Sequence, residues 1–184
     1  MLGLLVDETL SFKDHIQSIK DKIISFSYAV KRVRKLLSDK TAIALYYAHV
    51  QSRLMYMNTV WSAAAQYNLN SLEIAQRKSL RILLNKNWFC SRSELYSIKI
   101  LPVTTLCQRS ICIHVFKITS NMLKNSVNIQ TANERHNYRT RQRENYVIPA
   151  TRTQLGSQTF YIRGLVLYNS LEQTVKNKFS NSLF

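Results

Sequence analysis

With 184 residues and a hydrophobic fraction of 46%, the chain carries enough apolar material for one domain with a core, or a domain plus a tail, which excludes wholesale disorder. Twenty-six Lys and Arg stand against ten Asp and Glu, a formal net charge of +16, so the expected partner is a polyanion: nucleic acid, or else an anionic membrane surface. Three Gly and two Pro leave little for tight β-turns and point to an all-α fold, an antiparallel helical bundle joined by short polar links.

Leu2 to Val6 is a short apolar run with β character, ended by Asp7-Glu8-Thr9; it reads as a strand remnant or an irregular cap. It is too short for a signal h-region and lacks a basic leader, so an intracellular, unsecreted protein is expected. From Phe12 to Leu37, the residues Phe12, Ile16, Ile19, Ile23, Phe26, Val30, Val33 and Leu37 recur at steps of four and three, which lays them along one stripe of a helix. Thr9 or Ser11 is placed to cap it, with Asp14 in its first turn. Between the stripe lie Lys13, Lys20, Lys22, Lys31, Arg32, Arg34 and Lys35, against Asp14 and Asp21, and the positive charge thickens toward the C-terminal end.

Ser38-Asp39 breaks that helix and opens the next, from Lys40 to about Trp61, with Ile43, Tyr46 or Tyr47, Val50, Leu54, Met57 and Trp61 at helical spacing. So short a link predicts an antiparallel hairpin. Although Thr41 to Ala65 has few charges, Gln51, Ser52 and Arg53 at its centre argue for a core helix over a membrane span. After a polar break at Gln66 to Asn70, Ser71 to Leu84 predicts a third helix, with Leu72, Ala75, Ser79 or Leu80 and Leu83 inward and Arg77, Lys78 and Arg81 outward. Glu94 to Ile98 reads as a helical turn or two, and Pro102 starts a further helix to about Leu123, with Leu106, Ile111, Val115 and Ile118 inward. Asn125 to Gln158 is a polar, basic, irregular arm carrying Arg135, Arg139, Arg141, Arg143 and Arg152 against Glu134 and Glu144. Amphipathic character returns from Thr159 to Phe184 through Phe160, Leu165, Tyr168, Leu171, Val175 and Phe179.

Little of this pattern is catalytic. Two-metal chemistry needs clustered carboxylates, and the ten acids here are scattered, with Asp7-Glu8 as the one neighbouring pair. Cys107, Cys112 and His114 do not make a zinc set, because on a helix the two thiols point about 140° apart and no fourth ligand follows at a suitable spacing. Cys90, Cys107 and Cys112 read as reduced thiols. His15, His49 and His136 stand apart from any activated nucleophile, and Gly3, Gly156 and Gly164 make no phosphate loop, so no metal and no cofactor is expected. The basic residues remain. Arg32, Arg34 and Lys35 on the first helix, Arg77, Lys78 and Arg81 on the third, and Arg139 and Arg141 of the arm are the candidates for phosphate contacts along one groove. Tyr138 and Tyr146 either stack on bases or pin the arm to its domain.

A further pattern joins these residues. Leu2-Gly3 with Asp7, Leu10-Ser11-Phe12, His15-Ile16, Leu45-Tyr46, Ser52-Arg53-Leu54 with Tyr56, Trp61, Leu72, and Gln76-Arg77-Lys78 with Leu80-Arg81 follow in this order. Together they resemble the stretch just beyond the polymerase palm in non-LTR retrotransposon (LINE, jockey-type) reverse transcriptases. Tyr138 with Thr140-Arg141, Pro149, Arg152-Thr153, Gly164 and Tyr168-Asn169 with Leu171 resemble that family's terminal region. The resemblance implies a palm remnant over 1–11, a helical thumb-like domain over 12–124 that grips template and primer, a basic arm over 125–158 and a terminal helical piece over 159–184. It departs from the family at Met57, where Gly is common, at Tyr168, where the family has Trp, and at Glu172, where Pro is frequent. The polymerase's paired aspartates would lie upstream. What is implied is a fragment that holds an RNA or RNA/DNA duplex by its backbone, without membrane contact and without synthesis. The rival readings are a helical interaction module that pairs with another helix or another copy through the apolar ridge, and a transposon remnant with no selected function.

Overall fold

The computed structural model describes residues 3–96, 100–120, 122–123, 129–135 and 143–176. They are helical throughout their ordered elements, an all-α fold; among the described residues the β pairing is one isolated antiparallel bridge between Thr131 and Tyr146. Gly3 to Val6 therefore do not form the expected strand remnant: Leu5 donates its N–H to His15 Nδ1 at 3.3 Å instead of to a neighbouring strand.

In helix α1 (Lys13–Val33) the Ser11 hydroxyl accepts the first helical N–H, that of Lys13, at 3.4 Å, and Thr9 is turned instead to Asp7. The Asp7 carboxylate folds back and accepts the Thr9 hydroxyl at 2.5 Å and the N–H groups of Ser11 and Phe12 at 2.9 and 2.8 Å. Two carboxylate oxygens satisfy three donors where a hydroxyl would satisfy fewer, and these bonds, the Thr9 hydroxyl foremost, hold the Asp7 carboxyl well below the usual range. The stripe on α1 buries Ile16, Ile19, Ile23 and Val30. The helix stops at Val33 and tightens into a 3-10 turn at Arg34–Leu36, one turn short of the expected end.

Ser38 caps α2 (Asp39–Tyr46), accepting the Thr41 N–H at 3.2 Å. The single helix expected to Trp61 is instead divided into α2, a π turn (Tyr47–Gln51), α3 (Ser52–Met55) and α4 (Asn58–Trp61). The last break falls at Met57, which takes the left-handed conformation with φ 50 and ψ 26. That turn carries Trp61 into full burial, where its indole N–H reaches the Tyr56 carbonyl at 2.7 Å. Helix α5 (Gln66–Leu83) begins five residues before the expected Ser71. The polar stretch is its first turn, closed by the Gln66 amide on Asn70 at 2.9 Å and anchored by buried Leu69.

Cross-contacts set the directions. The His15 ring lies 6.3 Å from Trp61, Phe26 stacks on His49 at 4.7 Å, and Arg34 Nε donates to the Leu83 carbonyl at 2.6 Å. The α2–α4 segment thus runs antiparallel to α1, as the short link predicts, and α5 returns parallel to α1 with the most extensive helix contact in the chain. At their centre Gln76 is fully buried, donating to Tyr46 Oη at 2.8 Å and the Leu101 carbonyl at 2.9 Å while accepting from Tyr96 Oη at 3.2 Å. Every polar group of the side chain is used, as burial demands.

Two short connections lead on through α6 (Arg92–Tyr96) to α7 (Val103–Thr119). The chain divides into two compact units, Met1–Cys107 and Gln108–Phe184. In the second, α8 (Ala132–Arg135), α9 (Gln154–Ser157) and α10 (Phe160–Ser170) follow, and Val115, Phe116, Leu165 and Tyr168 form a small core. Helix α10 can approach Val115 and Ile111 closely because position 164 is glycine: a Cβ there would stand 2.4 Å from Val115 Cγ2. The basic arm is not wholly irregular, since the Thr131–Tyr146 bridge is extended by Val147 N–H on the Gln130 carbonyl at 2.9 Å. Phe179 lies outside the described residues.

Candidate nucleic-acid interface

Because α1 and α5 run side by side in one direction, the basic residues at their C-terminal ends meet. Between them opens a groove of about 1230 Å³. Lys31, Arg34 and Lys35 line it from α1 and the turn after it, Lys78 and Arg81 from α5, and Lys86 from the loop beyond. Among the described residues Asp39 is the one acid in the lining.

These cations are not equivalent. Arg34 is largely a structural clamp: besides the bond to Leu83, its Nη1 donates to the Leu37 carbonyl at 2.8 Å and its Nη2 pairs with Asp39 at 2.5 Å. It satisfies the open carbonyl end of α5 and the turn after α1 together. Lys86 pairs with Glu94 at 2.7 Å, an exposed bond that raises the ammonium pKa and lowers the carboxyl's. Among the described residues the other four lining cations, Lys31, Lys35, Lys78 and Arg81, have no carboxylate partner. Two helix C-termini contribute together a charge of about −1 at this end, so the groove keeps a clear positive surplus.

Of the residues expected to contact phosphate, Arg34, Lys35, Lys78 and Arg81 come together in this groove, and Arg32 and Arg77 do not line it. Arg32 is exposed on another face of α1. Arg77 is half-buried on α5, and its charge, with those of Arg92 and Arg81, opposes the burial and the nearby Glu73 carboxylate that push the Tyr96 hydroxyl up to about 12. Arg139 and Arg141, like Tyr138, lie outside the described residues. The apolar ridge of α1 is covered within the chain by α5 and the Tyr47–Gln51 turn of the α2–α4 segment, leaving Val33 exposed near its end.

Among the described residues no helix is long and apolar enough to cross a membrane, and no three His, Cys, Asp or Glu gather where they could hold a metal ion. Cys107 and Cys112 are buried thiols, neither in a disulfide.

One curated protein is similar over half the chain. The RNA-directed DNA polymerase from mobile element jockey of Drosophila funebris is 29% identical across 100 residues, 51% of this chain and 11% of that polymerase. The match supports a distant relationship to the reverse transcriptases of non-LTR retrotransposons. The chain thus spans a small part of that relative's length. No family model matches the chain, and no solved structure matches it.

Sequence reasoning missed two aromatic residues that line the groove, Tyr28 and Trp88. Trp88 is 62% exposed within Asn85-Lys86-Asn87-Trp88-Phe89, and the Arg81 guanidinium carbon sits 5.0 Å over its ring. An aromatic pair in an otherwise polar, basic loop is the signal that would have found it.

Proposed function

We propose that this chain is a nucleic-acid-holding piece of a non-LTR retrotransposon reverse transcriptase, thumb-like in role, with an RNA or RNA/DNA backbone lying in the α1–α5 groove. The observation that carries this reading is that Lys31, Lys35, Lys78 and Arg81 face one trough from two helices, without carboxylate partners among the described residues. A polyanion supplies what those cations lack, and the helix backbones offer no base-reading element, so contacts to phosphate dominate. Its role is holding and not synthesis; the scattered acids offer no cluster for divalent cations.

The test is binding of an RNA/DNA duplex by anisotropy across a salt series. Four phosphate contacts give a slope of log K against log salt of about −3 to −4, and Lys35→Gln or Lys78→Gln lowers it by about one each. Arg32→Gln, outside the groove, leaves it nearly unchanged. A flat salt response, or equal effects of Arg32→Gln and Lys35→Gln, removes the groove from the account.

A further inference from the structure

Trp88 is large, apolar and mostly in solvent, yet it is held in a defined place. The Arg81 guanidinium covers its ring at 5.0 Å, and both side chains line the cationic groove. Across the groove Tyr28, on α1, is 65% exposed. A single exposed aromatic needs no explanation on an ordinary surface. Here two stand in one trough with four cations that have no carboxylate partner among the described residues, and that combination is how proteins take unpaired nucleotides: charge follows the backbone while rings receive the bases. An apolar peptide would match the rings but leave the charges uncompensated. A fully paired, blunt duplex would match the charges but hide its base faces in the stack.

We infer that Trp88 is a stacking platform for an unpaired base, so the groove takes a nucleic acid that has a single-stranded stretch beside its held backbone. This rests on the proposed reading of the groove as a backbone-binding site, and it narrows the substrate class. Arg81 then has two roles, holding the ring from one side and offering charge to the phosphate next to the stacked base.

The chain contains two tryptophans, Trp61 fully buried and Trp88 exposed, so quenching of tryptophan fluorescence by an added oligonucleotide reports on Trp88. The full chain is titrated with a blunt RNA/DNA duplex, the same duplex with a five-nucleotide overhang, and the overhang strand alone. The expected result is quenching by both overhang-bearing and single-stranded ligands, with the overhang duplex bound about tenfold tighter than the blunt one. Followed by the anisotropy of a labelled oligonucleotide, since these variants lack the reporting indole, Trp88→Ala brings overhang binding down to the blunt level, and Trp88→Phe, which keeps a ring, retains most of the preference. Equal affinity for blunt and overhang duplexes, or a preference that survives Trp88→Ala, overturns the stacking role while leaving the backbone reading intact. If none of the three ligands binds, the backbone reading fails and this inference fails with it.

Discussion

Asn169 clasps the backbone of Tyr146 from both sides: its Oδ1 accepts the Tyr146 N–H and its Nδ2 donates to the Tyr146 carbonyl, each at 2.9 Å. A side-chain amide thus pairs with one residue as a neighbouring strand would. The adjoining Tyr168 ring packs 5.6 Å from the Tyr146 ring, so Tyr146 pins the arm within the second unit. Asn169→Ala removes both bonds and leaves two backbone groups to find water, a loss of about 1–2 kcal/mol. Amide hydrogen exchange at Tyr146 and Val147 is expected to accelerate while exchange across α1 and α5 is unchanged; uniform acceleration would mean that the clasp is not local.

Arg34 separates structural charge from binding charge. Its ion pair with Asp39 is worth little, because Asp39 is 84% exposed, and Asp39→Asn should cost less than about 0.5 kcal/mol. The bond from Nε to the half-buried end of α5 is worth more. Arg34→Lys keeps the charge but cannot fork between the Leu83 and Leu37 carbonyls, and should cost about 1–3 kcal/mol in urea unfolding. The salt slope of nucleic-acid binding should hardly move. A variant as stable as the parent would show that the clamp is dispensable.

Met57 occupies a left-handed conformation that costs a side-chain-bearing residue about 1–2 kcal/mol, and its side chain is 44% exposed. Met57→Gly relieves that cost while adding freedom to the unfolded chain, leaving a net gain of about 0.5–1 kcal/mol. The family resemblance, in which Gly is common at this position, leads the same way. A rise in Tm is the check; a fall would mean that the methionine's contacts outweigh the strain.

His15 makes stability depend on pH. Burial, and then the charge of Lys22, lower its pKa from the ordinary 6.5, and its Nδ1 must stay unprotonated to accept the Leu5 N–H. Since the folded state prefers the neutral ring, its stability is complete above the ordinary value and is lost as pH falls through the lower folded-state value. Urea midpoints should therefore decline below about pH 6.5. His15→Gln keeps an acceptor but does not titrate, and should flatten that decline. If both proteins decline alike between pH 7 and 5, another group is responsible.

Helical spacing is a local property, and much of the fold can be read from it. The stripe of Ile16, Ile19, Ile23 and Val30, the hairpin implied by Ser38-Asp39 and the inward set of α5 all follow from side-chain period and capping chemistry. Where a residue's role depends on a partner distant in sequence, local pattern misleads. The polar run at Gln66 reads as a break because nothing nearby shows that Leu69 will be buried. The apolar run before Asp7 reads as a strand because nothing nearby shows that Leu5 will bond to His15.

The same distinction governs the candidate site. Composition alone carries the surplus of cations and the expectation of a polyanionic partner. Which of them share a trough depends on the direction and rotation of α1 against α5, and those are set by the burial of Ile23, Val30, Leu80 and Leu83 in a common core. That packing turns Lys35 and Arg81 into one groove, leaves Arg77 out of its lining, and commits Arg34 to the end of α5. Charge is a property of residues, whereas a groove is a property of two helices fixed in register, so it is legible only once the apolar faces have met.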